Sequence, residues 1–197
     1  MRSENTNQYL YDQAVRSSLL ELLSAYRPID SADGDTALRI AQFVESEPMC
    51  AERSTQKGHL TGSGWVINQS ADKVLLMHHR KLNKWLQPGG HADGELNLMA
   101  VALREAREES GLSSLVPFSQ HVFDVDIHNI PGRPGEPEHL HYDLRFVLRA
   151  DDSEELKANS ESLAVKWIPL TSIAEFSQEE SILRMCRKWQ EFSRSVP

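Results

Sequence analysis

GGHADGELNLMAVALREAREESGL, Gly89 to Leu112, decides how the chain is read. Its second half has the period of a helix. Met99, Ala102, Leu103 and Ala106 recur at i, i+3, i+4 and i+7 and make one apolar face. Asn97 stands at the N-cap position, and Gly111 where a left-handed C-terminal cap is expected. The last turns carry Arg104, Glu105, Arg107, Glu108 and Glu109. Acids are out of place there, because a helix C-terminus bears roughly half a negative charge. At about 100° per residue, Glu105, Glu108 and Glu109 share an arc of roughly 100°, and Glu105 repels Glu109 at i, i+4. Arg104 can pair with Glu108 at i+4, yet one cation does not neutralise three acids. A solvated, charged helix end is the plain reading of such a run. A local rule broken without visible gain points instead to a site, and a divalent cation would supply the gain, since hard cations take carboxylate, water and phosphate oxygens. Pro88-Gly89-Gly90 lies just upstream, where the backbone can turn tightly and present carbonyls or amides to a ligand.

This segment resembles the signature of the Nudix hydrolase family: Gly, five residues, Glu, seven residues, Arg-Glu, an apolar residue, any residue, Glu-Glu, any residue, Gly, an apolar residue. Gly90 is the first Gly, and Arg104 to Leu112 fits the second half at every fixed position. The departure is Leu96, which stands where the signature has its first Glu; Glu95 and Asp93 lie close enough to hold the loop in its place.

The rest of the chain is consistent with a soluble globular protein. It has 197 residues, 40% apolar and 25% charged. A net charge of −8 argues against a nucleic-acid polymer or an anionic membrane as main partner, while a metal ion can still screen the phosphates of a nucleotide. Cys50 and Cys186 have no metal-type spacing and fit reduced thiols in a cytoplasmic protein. No signal peptide, membrane-length apolar run or repeat is seen.

Residues 1–57 read as a helical extension, a cap on the core or else a dimerisation arm or lid. Leu19, Leu22, Leu23 and Tyr26 mark one amphipathic helix; Ala37, Ile40, Ala41 and Val44 mark a second, after a turn at Ser31-Ala32-Asp33-Gly34. Residues 58–81 read as two strands around the turn 68–72, the second carrying the buried run Val74-Leu75-Leu76-Met77. His78, His79, Arg80, Lys81 and Lys84 lie just upstream of the glycines, where two or three of them are in reach of phosphate. After the helix, Phe123, Val125 and Ile127 alternate with polar residues, and the turn-rich loop 131–137 follows. In the next strand Leu140, Tyr142, Leu144 and Phe146 form an apolar face; His139, His141, Asp143 and Arg145 form a polar one. The pair predicts an antiparallel hairpin with one apolar and one polar face. His-x-His on a strand is a transition-metal pair, but no cysteine or further histidine stands at a spacing that completes a zinc set, so His139 and His141 are candidates for substrate contact. A strand follows at 164–168. Ser177 and Glu180 then form a capping box for a last helix with Ile182, Met185, Cys186 and Trp189 inside.

The element order is similar to that of the Nudix fold: an α/β domain, a mixed sheet sandwiched between helices, over 58–197 behind the N-terminal extension 1–57. Periodicity alone establishes only a mixed α/β domain. The resemblance implies a pyrophosphohydrolase acting on a nucleoside diphosphate linked to another moiety. It implies Mg²⁺ or Mn²⁺ held by Glu105, Glu108, Glu109 and the Gly89 carbonyl. Glu105 is the first candidate for general base, and Glu161, six residues before Trp167, the second; Arg104 orients the glutamates. Homodimers are common among similar proteins. A non-catalytic nucleotide-binding or regulatory protein on the same scaffold is the alternative that Leu96 supports. An isoprenyl diphosphate isomerase would need a well-placed Cys, which neither Cys50 nor Cys186 supplies.

Overall fold

The computed structural model describes residues 2–195 apart from 134 and 136, and side chains over 13–193 apart from the same two. Pro134 and Glu136, within the loop expected at 131–137, lie outside the described residues. Helices α1 (Arg2–Ser24) and α2 (Ser31–Ser46) come first. Strands β1 (Gly58–Ile67), β2 (Lys73–His79), β3 (Lys84–Leu86) and β4 (Gly89–His91) lead to α3 (Leu98–Ser110). Then come β5 (Val116–Pro117), β6 (Asp124–Ile130), β7 (His139–Arg149) and β8 (Ser162–Pro169), closed by the short α4 (Ile173–Phe176) and α5 (Glu180–Ser195). The strands form one sheet, β3-β2-β1-β7-β5, in which β4 also pairs with β1, β6 with β7 and β8 with β2. This is the α/β architecture expected.

Two compact units divide the chain: 1–61 with 91–98 and 121–144, and 62–90 with 99–120 and 145–197. In the first, α1 and α2 belong together with the β6–β7 hairpin. Phe43 of α2 stacks on Tyr142 of β7, centroids 3.9 Å apart and planes 6° from parallel. Arg16 of α1 donates to the carbonyls at the end of α2, Val44, Glu47 and Pro48, where a cation also meets the negative end of the helix. Ser31-Ala32-Asp33-Gly34 is not the expected turn. It is the first turn of α2, because the Asp30 side chain caps the Asp33 amide at 2.9 Å and the buried Asp33 accepts the Tyr26 hydroxyl at 2.8 Å.

In the second unit β2 pairs along its length with β8, Lys73↔Pro169 through His79↔Ser162, so Val74 to Met77 are buried as their apolar run requires. The buried Asn68 makes the β1–β2 turn by accepting the amides of Asp72 and Lys73. Helix α5 buries Ile182, Met185, Cys186 and Trp189, as its periodicity predicts. The expected capping box does not form: Ser177 Oγ accepts the Glu179 amide at 3.4 Å, and Glu180 pairs with Arg187 instead.

The polar face of β7 is largely buried. Asp143 and Arg145 are 1% and 2% exposed, and His139 is buried as well, because β7 has strands on both sides and the sheet is covered there. Buried polar groups are kept only with partners, and Asp143 accepts the Thr61 hydroxyl of β1 at 2.9 Å. Asp124 of β6 is fully buried too.

Phe43→Ala removes a buried ring from between α2 and β7 and is expected to cost about 3–5 kcal/mol. Urea unfolding at equal m-value checks it; a loss below about 1 kcal/mol would show that the helices do not depend on the hairpin.

Candidate active site

Helix α3 takes its direction from its apolar stripe. Met99, Val101, Ala102 and Ala106 are buried, and Leu103 is half-buried. It ends at Gly111, whose φ of +73° lies in the left-handed region and whose amide donates to the Arg107 carbonyl at 2.8 Å. That orientation turns Glu109 inward to 6% exposure, leaves Glu105 half-buried and Glu108 exposed.

The glycine strand is built to receive these carboxylates. The Gly89 amide donates to Glu109 Oε2 at 2.9 Å. A Cβ on Gly90 would lie 2.5 Å from the Glu105 carboxyl carbon, and one on Gly89 would lie 2.8 Å from the Ser63 Cα of β1. At Gly89 only glycine lets the strands come so close, and at Gly90 a side chain would displace the Glu105 carboxylate. Arg104 Nη2 donates to Glu105 Oε1 at 2.8 Å, so it fixes its neighbour on the helix. Glu161 is exposed on the turn before β8, its carbonyl accepting the Arg80 amide at 2.8 Å. Its charge reaches Glu109, as do those of Glu105 and Glu108.

These groups set the electrostatics. Burial pushes Glu109 up to about 8; the Gly89 amide opposes this, and the charges of Glu105, Glu161 and Glu108 add to it. Three carboxylates thus converge around a fourth, Glu109, that cannot comfortably ionise alone. An all-oxygen set of this kind suits a hard divalent cation. The structure therefore brings together Glu105, Glu108, Glu109, Glu161, Arg104 and Gly89.

The upstream basic residues serve the local fold. His78 contacts Asn83 at 2.9 Å, Arg80 donates to the Ser160 and Ser162 carbonyls, and Lys84 pairs with Glu179. The loop that lacks the signature's first Glu is held by other acids: Glu95 accepts the Asn97 amide at 2.7 Å, and Asp93 pairs with Arg53.

His139 and His141 belong to the first unit. They line a cavity of about 430 Å³ with His59, His91, Arg53 and Arg133 among others. His59 on β1 and His91 on β4 were missed by spacing, and they correct the expectation that no further histidine joins the His-x-His pair. Burial first, then the neighbouring His91, lowers His59 to about 4 and His141 to about 2, so both rings are neutral at pH 7.

The sequence profile of the NUDIX domain matches residues 58–187, and the chain belongs to the Nudix family. The asymmetrical bis(5'-nucleosyl)-tetraphosphatase of Rattus norvegicus is 25% identical over 132 residues, 67% of this chain and 87% of its own. A probable DHNTP pyrophosphohydrolase of Lactococcus lactis subsp. cremoris is 25% identical over 68% of this chain and 81% of its own. Among solved structures, a Caenorhabditis elegans Ap4A hydrolase binary complex superposes with a TM-score of 0.57 at 14% identity, covering 70% of this chain and 98% of its own. A Nudix-family hydrolase from Clostridium perfringens gives 0.51 at 24% identity, covering 68% and 97%. The chain is a Nudix-type pyrophosphohydrolase. Among the described residues no helix is long and apolar enough to cross a membrane.

The Glu109 shift fixes a pH dependence. The unfolded chain releases this proton near 4.5 and the folded, metal-free chain near 8, so between these values the folded state holds one more proton. Stability must then fall as pH rises through that window. In EDTA, wild type is expected to lose thermal stability relative to Glu109→Gln between about pH 5 and 8. Parallel pH profiles for the two proteins would contradict the shift.

Proposed function

We propose that the chain hydrolyses a pyrophosphate bond in a nucleoside diphosphate linked to another moiety, using Mg²⁺ or Mn²⁺ bound by Glu105, Glu108, Glu109 and the Gly89 carbonyl. The observation that carries this is the buried Glu109, surrounded by three further carboxylates and held by the glycine strand. The printed names of two relatives, a dinucleoside tetraphosphatase and a DHNTP pyrophosphohydrolase, support a small nucleotide-type substrate. The acidic balance and free, buried cysteines fit work in the cytoplasm.

Bound at this set, the cation neutralises charge on the pyrophosphate and acidifies an attacking water. The chain's own groups do the rest. Gly89 N–H occupies one oxygen of Glu109 and leaves the second as a ligand atom. Glu105 accepts the proton of the attacking water, its carboxylate oriented by Arg104 through a charge-assisted hydrogen bond. Glu161, exposed and on a loop, is the second acid available for that proton.

The test is turnover of a panel of nucleoside triphosphates, nucleotide sugars, ADP-ribose and dinucleoside polyphosphates, each with Mg²⁺ or Mn²⁺. Hydrolysis of one class, abolished by EDTA, is expected. Glu109→Gln is expected to lose at least about a hundredfold in rate, roughly 2.7 kcal/mol of barrier. Near-normal turnover by a folded Glu109→Gln protein would overturn the assignment of the metal ligands.

A further inference from the structure

Five histidines in the first unit stand on four strands that pair in the sheet: His91 on β4, His59 on β1, His139 and His141 on β7, His128 on β6. His59 is the centre of the group. Its ring lies 5.0 Å from those of His91 and His139 and 4.8 Å from that of His141, centroid to centroid. His128 is further out, 6.0 Å from His141.

Three observations separate this cluster from ordinary packed histidines. His59 is 3% exposed, and among the described residues neither of its ring nitrogens has a hydrogen-bond partner. A buried polar group left in that state costs about 1–3 kcal/mol, so something is expected to satisfy it. Next, His139 Nδ1 stands 2.9 Å from the Pro137 carbonyl, which accepts its proton. That hydrogen bond fixes the tautomer and makes Nε2 the acceptor nitrogen, the arrangement by which metal-bound histidines are oriented. Finally, His139 Nε2 and His141 Nε2 are 3.3 Å apart, and ligand nitrogens of His59, His139 and His141 all fall within 4.8 Å of one another. Two nitrogens bound tetrahedrally to zinc at about 2.0–2.1 Å are about 3.3–3.4 Å apart. The β7 pair is thus already at the edge length of a tetrahedron, with a His59 nitrogen within 4.8 Å of both.

A hydrogen bond between His141 and His139 accounts for the 3.3 Å contact by itself, but it leaves both nitrogens of His59 unsatisfied. A cation gives one nitrogen of each of the three rings a partner. Imidazole nitrogens suit zinc and its transition-metal neighbours, whereas Mg²⁺ prefers oxygen. We propose that His59, His139 and His141 bind one divalent transition-metal ion of the zinc class, at a site chemically distinct from the carboxylates of α3. The three rings line the cavity of about 430 Å³, so the fourth coordination position opens into it. This role replaces the substrate contact expected for His139 and His141.

Zinc titration of the full chain, stripped of metal and held in excess Mg²⁺, tests this. One equivalent of Zn²⁺ is expected to bind, and Co²⁺ in its place is expected to give the visible spectrum of a four-coordinate ion. His59→Ala and His141→Ala are expected to lose that equivalent, while Glu109→Gln keeps it. Histidine ring ¹⁵N shifts of the wild-type chain supply a readout that needs no variant: three ring nitrogens are expected to move on adding Zn²⁺. No zinc bound in excess Mg²⁺, zinc retained by both histidine variants, or zinc lost only in Glu109→Gln would each overturn the proposal.

Discussion

The hydrogen bond from the Gly89 amide to the Glu109 carboxylate is the constraint on which the candidate site depends. It ties the end of α3 to the glycine strand and holds a carboxylate where burial, a helix C-terminus and three neighbouring acids all oppose its charge. The adjoining residue types follow from it. With β4 drawn this close, Gly90 has no room for a Cβ against Glu105, and Gly89 has none against Ser63. Arg104 is then the nearby cation that keeps Glu105 in place. Glycine pair, arginine and glutamates are one mutually dependent unit, and replacing any of them disturbs the others.

Much of this was legible in the residues. The period of α3, its Gly111 cap and the odd placement of three acids at its end are local features, and local features can be read from spacing. What failed was whatever depended on neighbours distant in sequence. The polar face of β7 alternates as an exposed strand does, yet Asp143 lies buried because Thr61 of β1 supplies its partner. Residues 31–34 have the composition of a turn, and Asp30 makes them a helix start. Ser177 and Glu180 have the spacing of a capping box, but Arg187 engages the glutamate.

The histidines show the same limit in its strongest form. His139 and His141 announce themselves by alternation on one strand. His59 lies eighty residues upstream, in a stretch of apolar and small residues, and His91 reads as part of the glycine loop. Only the pairing of β4 with β1 and of β1 with β7 makes them neighbours. No spacing rule finds a cluster spread over four strands, because the sheet and not the segment is the unit that assembles it.

Having both donor sets on one chain bears on metal selectivity. Carboxylates alone do not exclude zinc, since borderline divalent ions bind nearly every N or O site more tightly than Mg²⁺ does. A protein that works with Mg²⁺ therefore gains if zinc has a better site elsewhere. Neutral imidazoles on the wall of a cavity, with His59 and His139 buried, are such a site. On this reading the histidines hold zinc away from the α3 glutamates and leave those glutamates to the abundant hard cation. Donor chemistry, nitrogen in one set and oxygen in the other, then determines which ion goes where without any need for the two sites to differ in size.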